Sequence, residues 1–210
     1  MRYITISLLF LSFPAFAGFE EGRAAYDRKD WRGAITHLRP LAEAGDDRAM
    51  VIIGNMYAEG HGVVHNDKEA LSLYKRAATE KNNADAMVAV ASFYLNGMGV
   101  PRNFKTALEW YQRAAERGNQ IGAFFYATMM LRGNKSVTKD VGKDDIGDVG
   151  NNDIKPDFYI AYKWFLIAAK ETEYPKLQTA AAAFAKNIAD QKLTPALVAK
   201  ARKEAAAWKP

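Results

Sequence analysis

Ser-x-x-Lys occurs twice in this chain, at Ser72–Lys75 and at Ser136–Lys139. A serine three residues from a lysine is the nucleophile arrangement of penicillin-recognising enzymes, in which the amine can take the hydroxyl proton. Those enzymes also need a Ser-Asp-Asn and a Lys-Thr-Gly, and this chain has neither. His61 and His65, four apart with Asp67 near, have a spacing suited to metal ligands. A related stretch further on has Met98 and Arg102 in their places, so the pair reads as loop histidines. His37 has no visible companion. The acidic residues between Asn134 and Pro156 suggest calcium, but their spacing does not match a twelve-residue loop closed by glutamate. No phosphate loop or dinucleotide fingerprint is present. The expectation is a chain with no catalytic residue, no metal ligand and no cofactor.

What the chain does repeat is a building unit. "EGHGVVHNDKEALSLYKRAA" (Glu59 to Ala78) and "NGMGVPRNFKTALEWYQRAA" (Asn96 to Ala115) lie 37 residues apart and share glycines, an Asn, Lys-x-Ala-Leu, a Tyr and Arg-Ala-Ala. Aligned on Ala34, Ala70, Ala107 and Ala161, four copies emerge. Four residues before each anchor stands a side chain able to cap a helix: Asp30, Asn66, Asn103 and Asp157. Four residues after it stands Leu38, Tyr74, Tyr111 or Phe165. Seven and eight after it come Leu41-Ala42, Ala77-Ala78, Ala114-Ala115 and Ala168-Ala169. That spacing is one face of a helix, alternating small and bulky. A second helix precedes each: Phe19–Lys29, Ala49–Glu59, Ala86–Asn96 and Ala123–Arg132. Gly60-x-Gly62 and Gly97-x-Gly99 follow two of them, and Gly45 and Gly118 stand where two of the anchor-bearing helices end. One helical hairpin cannot bury its own apolar face, whereas several stacked ones can. The expected fold is an all-α, right-handed α-solenoid over residues 18–175, with about four units.

The wording of these units resembles the Sel-one-like repeat, a relative of the tetratricopeptide repeat. The resemblance is carried by Ala49, Ile53, Gly54, Tyr57, Gly60, Gly62, Val63, Asp67, Ala70, Tyr74, Ala77 and Ala78. It recurs at Ala86, Tyr94, Gly97, Gly99, Val100, Ala107, Trp110, Tyr111, Ala114 and Ala115, with Ala91 and Phe104 as departures. The following copy keeps Ala123, Ala161, Trp164, Phe165, Ala168 and Ala169, but its Gly-x-Gly is lost to an insertion at 134–156. The opening unit, around "AYDRKDWRGAITHLRPLAEAGD", is closer to a tetratricopeptide unit. The resemblance implies a protein-binding scaffold in which the first helix of each unit, helix A, lines the concave surface.

The ends carry different information. "MRYITISLLFLSFPAFA" has a basic start, an apolar run and Ala15-Phe16-Ala17, the layout of a secretory signal peptide covering residues 1–17. Its apolar run is short for a bilayer span, so no stable membrane insertion is expected. With no cysteine, the protein would sit in an oxidising periplasm indifferent to its redox state. Nucleic acid is an improbable partner there. At the other end, residues 176–210 hold seven Lys/Arg and two Asp/Glu out of a chain of formal charge +5. They read as two capping helices, Gln178–Gln191 and Pro195–Trp208, with Thr194 as cap. A basic terminal helix also suits contact with an acidic surface or anionic lipid.

Two features go beyond scaffold. All six methionines after residue 17 lie between 50 and 130, and Met56, Phe93 and Met130 fall in one register on successive A helices, beside Asn55, Ser92 and Met129. Flexible methionine suits a groove that adapts to a partner, and equally suits core filling. The candidate partner-binding set is Asn55, Met56, Glu59, Ser92, Phe93, Asn96, Met129 and Met130. The insertion at 134–156, polar and rich in Gly, Asn, Asp and Lys, is expected to be mobile and to add to that surface. Together these features lead to an exported, non-catalytic scaffold binding an envelope protein or secreted effector, as adaptor, inhibitor or immunity partner. The alternative is a binder of peptidoglycan fragments or a cell-wall hydrolase.

Overall fold

In the computed structural model of the chain, the described residues are 14–133, 154–170 and 174–210, with side chains from residue 18 onward. They form α-helices and no strand. The order is α1 (Pro14–Asp27), α2 (Trp31–Glu43), α3 (Asp47–Glu59), α4 (Asp67–Glu80), α5 (Ala84–Asn96), α6 (Phe104–Glu116), α7 (Gln120–Arg132), α8 (Phe158–Ala168), α9 (Pro175–Lys192) and α10 (Pro195–Ala207). The expected leader lies outside the described residues except for the backbone of 14–17, which forms the first turn of α1.

Each unit is an A helix (α1, α3, α5, α7) followed by a B helix (α2, α4, α6, α8). All four expected caps hold the B helices: Asp30, Asn66, Asn103 and Asp157 accept from the amides of Gly33, Glu69, Thr106 and Ile160 at 2.9 to 3.1 Å. Each satisfies an amide that has no carbonyl partner within its helix, contributing about 1 kcal/mol. The anchor alanines 34, 70, 107 and 161 are 0% exposed, and the bulky residues one turn on, Leu38, Tyr74, Tyr111 and Phe165, are at most 2% exposed. Burying each such side chain contributes about 1.5–3 kcal/mol. The A helices repeat the device with Asp46, Asn83 and Asn119, which accept from Ala49, Ala86 and Gly122.

Successive units are fastened in two ways. Asn83 Nδ2 donates to Asp47 Oδ2 at 2.6 Å, and Asn119 Nδ2 donates to Asp85 Oδ1 at 2.7 Å. The cap of one A helix thereby grips the A helix before it. On the opposite edge, the second glycine of each Gly-x-Gly rests on the preceding unit. A Cβ on Gly62 would stand 2.6 Å from Trp31 Cβ, and one on Gly99 would stand 2.8 Å from the carbonyl carbon of Asp67. These two glycines also have φ of 71° and 64°, a region closed to most side chains.

The last helices depart from the pattern. α9 packs on α8, with Phe184 stacked on Phe165 at 5.1 Å. α10 also packs on α8, through Arg202 Nε to Tyr162 Oη at 3.0 Å, Lys163 to Glu204 at 3.5 Å, and Trp208 edge-on to Trp164. Only Leu193 and Thr194 join α9 to α10, yet the two do not run along one another. Most of the 134–156 insertion lies outside the described residues. Its far end is anchored: Ile154 is 9% exposed and its carbonyl oxygen lies against Gly133.

Candidate functional site

The A-helix face is where a partner surface was expected, and the structure divides the expected residues into three groups. Met56 and Phe93 do not face out. They are 0% and 4% exposed, and Phe93 meets the Tyr74 ring edge-on at 5.3 Å. The groove assignment for these two is corrected: they fill the seam between A and B helices. Met56 and Phe93 stand seven residues after Ala49 and Ala86 and three after Ile53 and Val90, all buried, so helix periodicity puts them on the buried face. Met50 and Met87 are likewise buried. Methionine here is mostly filling irregular core space.

Asn55 and Ser92 are half-buried and already engaged. The Tyr74 hydroxyl donates to Asn55 Oδ1 at 2.6 Å, and Tyr26 also bonds to Asn55. Tyr111 bonds to Ser92. A buried phenol must find a partner, and these A-helix side chains supply it. Burial pushes the Tyr74 phenol far above its ordinary range, with the Glu59 carboxylate adding to the effect. Burial pushes Tyr111 up to about 12, opposed by its bond to Ser92. Both remain neutral phenols.

Glu59, Asn96, Met129 and Met130 remain at least partly accessible. Asn96 Nδ2 donates to the Ser92 carbonyl at 2.9 Å. Met129 and Met130 lean on the core of the last units. Glu59 approaches His61, whose Nδ1 lies 2.8 Å from the carboxylate but out of line for a hydrogen bond. The His61 ring lies flat on Trp31, 4.2 Å between centroids. His65 pairs with Asp67 at 3.2 Å. Among the described residues no three His, Cys, Asp or Glu side chains are grouped to hold a metal ion. Ser72 is exposed on α4, with Lys75 one turn on drawn over the Tyr94 ring. The other Ser-x-x-Lys, at 136–139, lies outside the described residues.

The A-helix face does contain a hollow that the sequence reading missed. About 330 Å³ opens among α1, α3 and α5, floored by Phe19, Val51 and Ile52 and rimmed by Arg23, Asp27 and Asp85. Arg48 covers one wall, its guanidinium 3.8 Å above the Phe19 ring and tied to Asp46 at 3.1 Å. Val51, Val88 and Phe125 share one register on α3, α5 and α7, and Phe125 is 38% exposed. The available signal was this 37-residue recurrence of apolar residues on A helices beside the buried ones.

A stack of helical hairpins with an open face defines a helical-repeat scaffold. Residues 47–82, 84–119 and 146–172 match the family model of the Sel1 repeat, and the chain is a Sel1-like repeat protein. It resembles the crystal structure of a Sel1 repeat protein from Oxalobacter formigenes, with 23% identity over 90% of this chain and 69% of that one and a TM-score of 0.66. It also resembles c5321, described as a protective antigen of uropathogenic Escherichia coli with an SLR fold, at 17% identity and a TM-score of 0.63. That match covers 91% of this chain and 38% of the other. No curated protein matches the chain in sequence. Sel1 repeats generally mediate protein–protein interaction, and no described helix is long and apolar enough to cross a membrane.

Proposed function

We propose that this protein is an exported scaffold that holds another protein on its A-helix face and has no chemistry of its own. The observation that carries this reading is the hollow over Phe19, Val51 and Ile52, an apolar floor ringed by charges of both signs. Such a surface suits a partner segment that inserts an apolar side chain and pairs its own charges at the rim. The role is that of adaptor, inhibitor or immunity partner, the last neutralising a toxic effector in the periplasm. The leader-like residues 1–17 support the compartment.

Two measurements test the proposal. A photo-crosslinking residue at Val51, in cells, should trap one defined protein, while the same residue at Thr79, on exposed B-helix surface, should not. Equal labelling at both positions refutes the site. N-terminal sequencing should find a chain beginning at Gly18 in the periplasmic fraction, and a retained Met1 refutes export by cleavage. For the immunity role, cells producing the trapped protein should survive only when this chain is present.

A further inference from the structure

The corner between α9 and α10 carries an apolar tip in a strongly basic surround, and that combination has no part in the A-helix reading. α9 and α10 both pack on α8, the last B helix, and not along one another, so their junction belongs to the terminal end of the stack. A shallow hollow of about 380 Å³ there is lined by Leu193, Pro195 and Val198 together with Asp190 and Arg202; Leu193 and Val198 lean partly on the core, and Leu197 beside the hollow is 40% exposed. A terminal helix of a repeat stack ordinarily turns a polar face outward, so an exposed leucine at the turn needs an explanation.

The charge around it is one-sided. Within about three turns of the junction stand Lys186, Lys192, Lys200, Arg202 and Lys203 against Asp190 and Glu204, while Lys176 and Lys209 lie at the far ends of the two helices. The single arginine is committed to Tyr162, and Glu204 is committed to Lys163. Lys186, Lys192 and Lys203 have no carboxylate partner among the described residues, although Lys192 also lies 5.6 Å over the Phe158 ring. Four of these five cations are lysines. Lysine is a point charge on a flexible stem, whereas recognition of a shaped carboxylate or phosphate on a protein favours the rigid fork of arginine. Dispersed lysines around a small apolar tip therefore fit a delocalised negative surface better than a carboxylate on a folded partner.

We propose that the α9–α10 corner docks this protein peripherally on an anionic lipid surface, with Leu197 entering the interface beside the accessible edges of Leu193 and Val198 and the lysines lying against headgroups. Neither element suffices alone: a few apolar side chains bind marginally, and stable peripheral attachment takes an apolar and a polybasic signal together. The scaffold's partner face on α1, α3 and α5 lies at the other end of the stack and would stay free.

The test is sedimentation of the full chain with vesicles of phosphatidylcholine, with and without phosphatidylglycerol. The chain should sediment with the phosphatidylglycerol vesicles, and added salt should release it. The pair Lys192→Gln and Lys203→Gln should weaken binding roughly 30-fold, taking each lysine's usual contribution at an anionic surface. Leu197→Asp should weaken it too, with the melting temperature of each variant unchanged. Binding that the three substitutions leave intact would place the lipid contact elsewhere, residues 1–17 included, and overturns the proposal. So does equal binding to neutral vesicles, absence of sedimentation, or capture by soluble poly-glutamate without any by vesicles. Crosslinking at Val51 is independent of all these outcomes.

Discussion

Gly97 and Gly99 separate two reasons for a glycine in the repeat loop, and a pair of alanine substitutions measures the second. Both have positive φ, 74° and 64°, so either alanine incurs the left-handed penalty of about 1–2 kcal/mol. Both also lower the entropy of the unfolded chain by a similar amount, which cancels in the comparison. The surroundings differ. A Cβ at Gly97 would meet the Arg102 side chain at 3.4 Å, an ordinary contact. A Cβ at Gly99 would stand 2.8 Å from the Asp67 carbonyl carbon and 2.9 Å from the Lys68 amide nitrogen. Those are backbone atoms of the first turn of α4, anchored by the Asn66 cap, and cannot swing aside. Forcing atoms into a packed seam costs about 1–3 kcal/mol. Gly97→Ala should therefore lose about 1–2 kcal/mol and Gly99→Ala about 2–5 kcal/mol. At this chain length each kcal/mol moves the midpoint by about 2–4 °C. Urea and thermal melts followed by circular dichroism read both values. Equal losses would show that the loop does not bear on the preceding unit, and the account of unit stacking given above would fail.

Three further outcomes follow from the same packing. Asn55→Ala strands the Tyr74 hydroxyl and should cost about 1–3 kcal/mol, while adding Tyr74→Phe should recover part of the loss in a double-mutant cycle; additive effects would deny the 2.6 Å bond its role. Phe93→Ala should destabilise by about 3–5 kcal/mol and Met56→Ala by about 2–5 kcal/mol, with the fraction that stays folded still binding the partner as the parent does; weaker binding by a fully folded variant would restore the groove assignment. Tyr111, held near 12 in the folded chain against 10.0 when exposed, stabilises the fold fully below pH 10 and loses that contribution as pH rises through 12. Melts against pH should show this alkaline decline, and Tyr111→Phe should make it shallower while the buried Tyr74 phenol keeps its share; an unchanged profile would contradict burial of the Tyr111 phenol.

The sequence by itself determined the repeating local structure. Ala34, Ala70, Ala107 and Ala161, their caps and the bulky residue one turn on were legible because each is a nearest-neighbour device, set by helix periodicity and by unsatisfied amides at helix ends. The same reasoning placed Thr194 at the start of α10, where its hydroxyl accepts from Leu197 at 3.4 Å. What lay beyond that range was decided by how hairpins rest on one another. Met56 shares the face of Ala49 and Ile53, but whether that face meets a B helix or a partner depends on how neighbouring helices are rotated, which the 37-residue register does not fix. The Asn83–Asp47 and Asn119–Asp85 bonds join residues more than 30 positions apart, so their recurrence is visible in the sequence but their partnership is not. The splaying of α9 from α10 likewise turned on a competition for the surface of α8, which neither helix encodes alone. Local hydrogen bonding and periodicity are properties of a short stretch of chain, whereas burial is a property of the surfaces that surround it, and only the assembled stack supplies those.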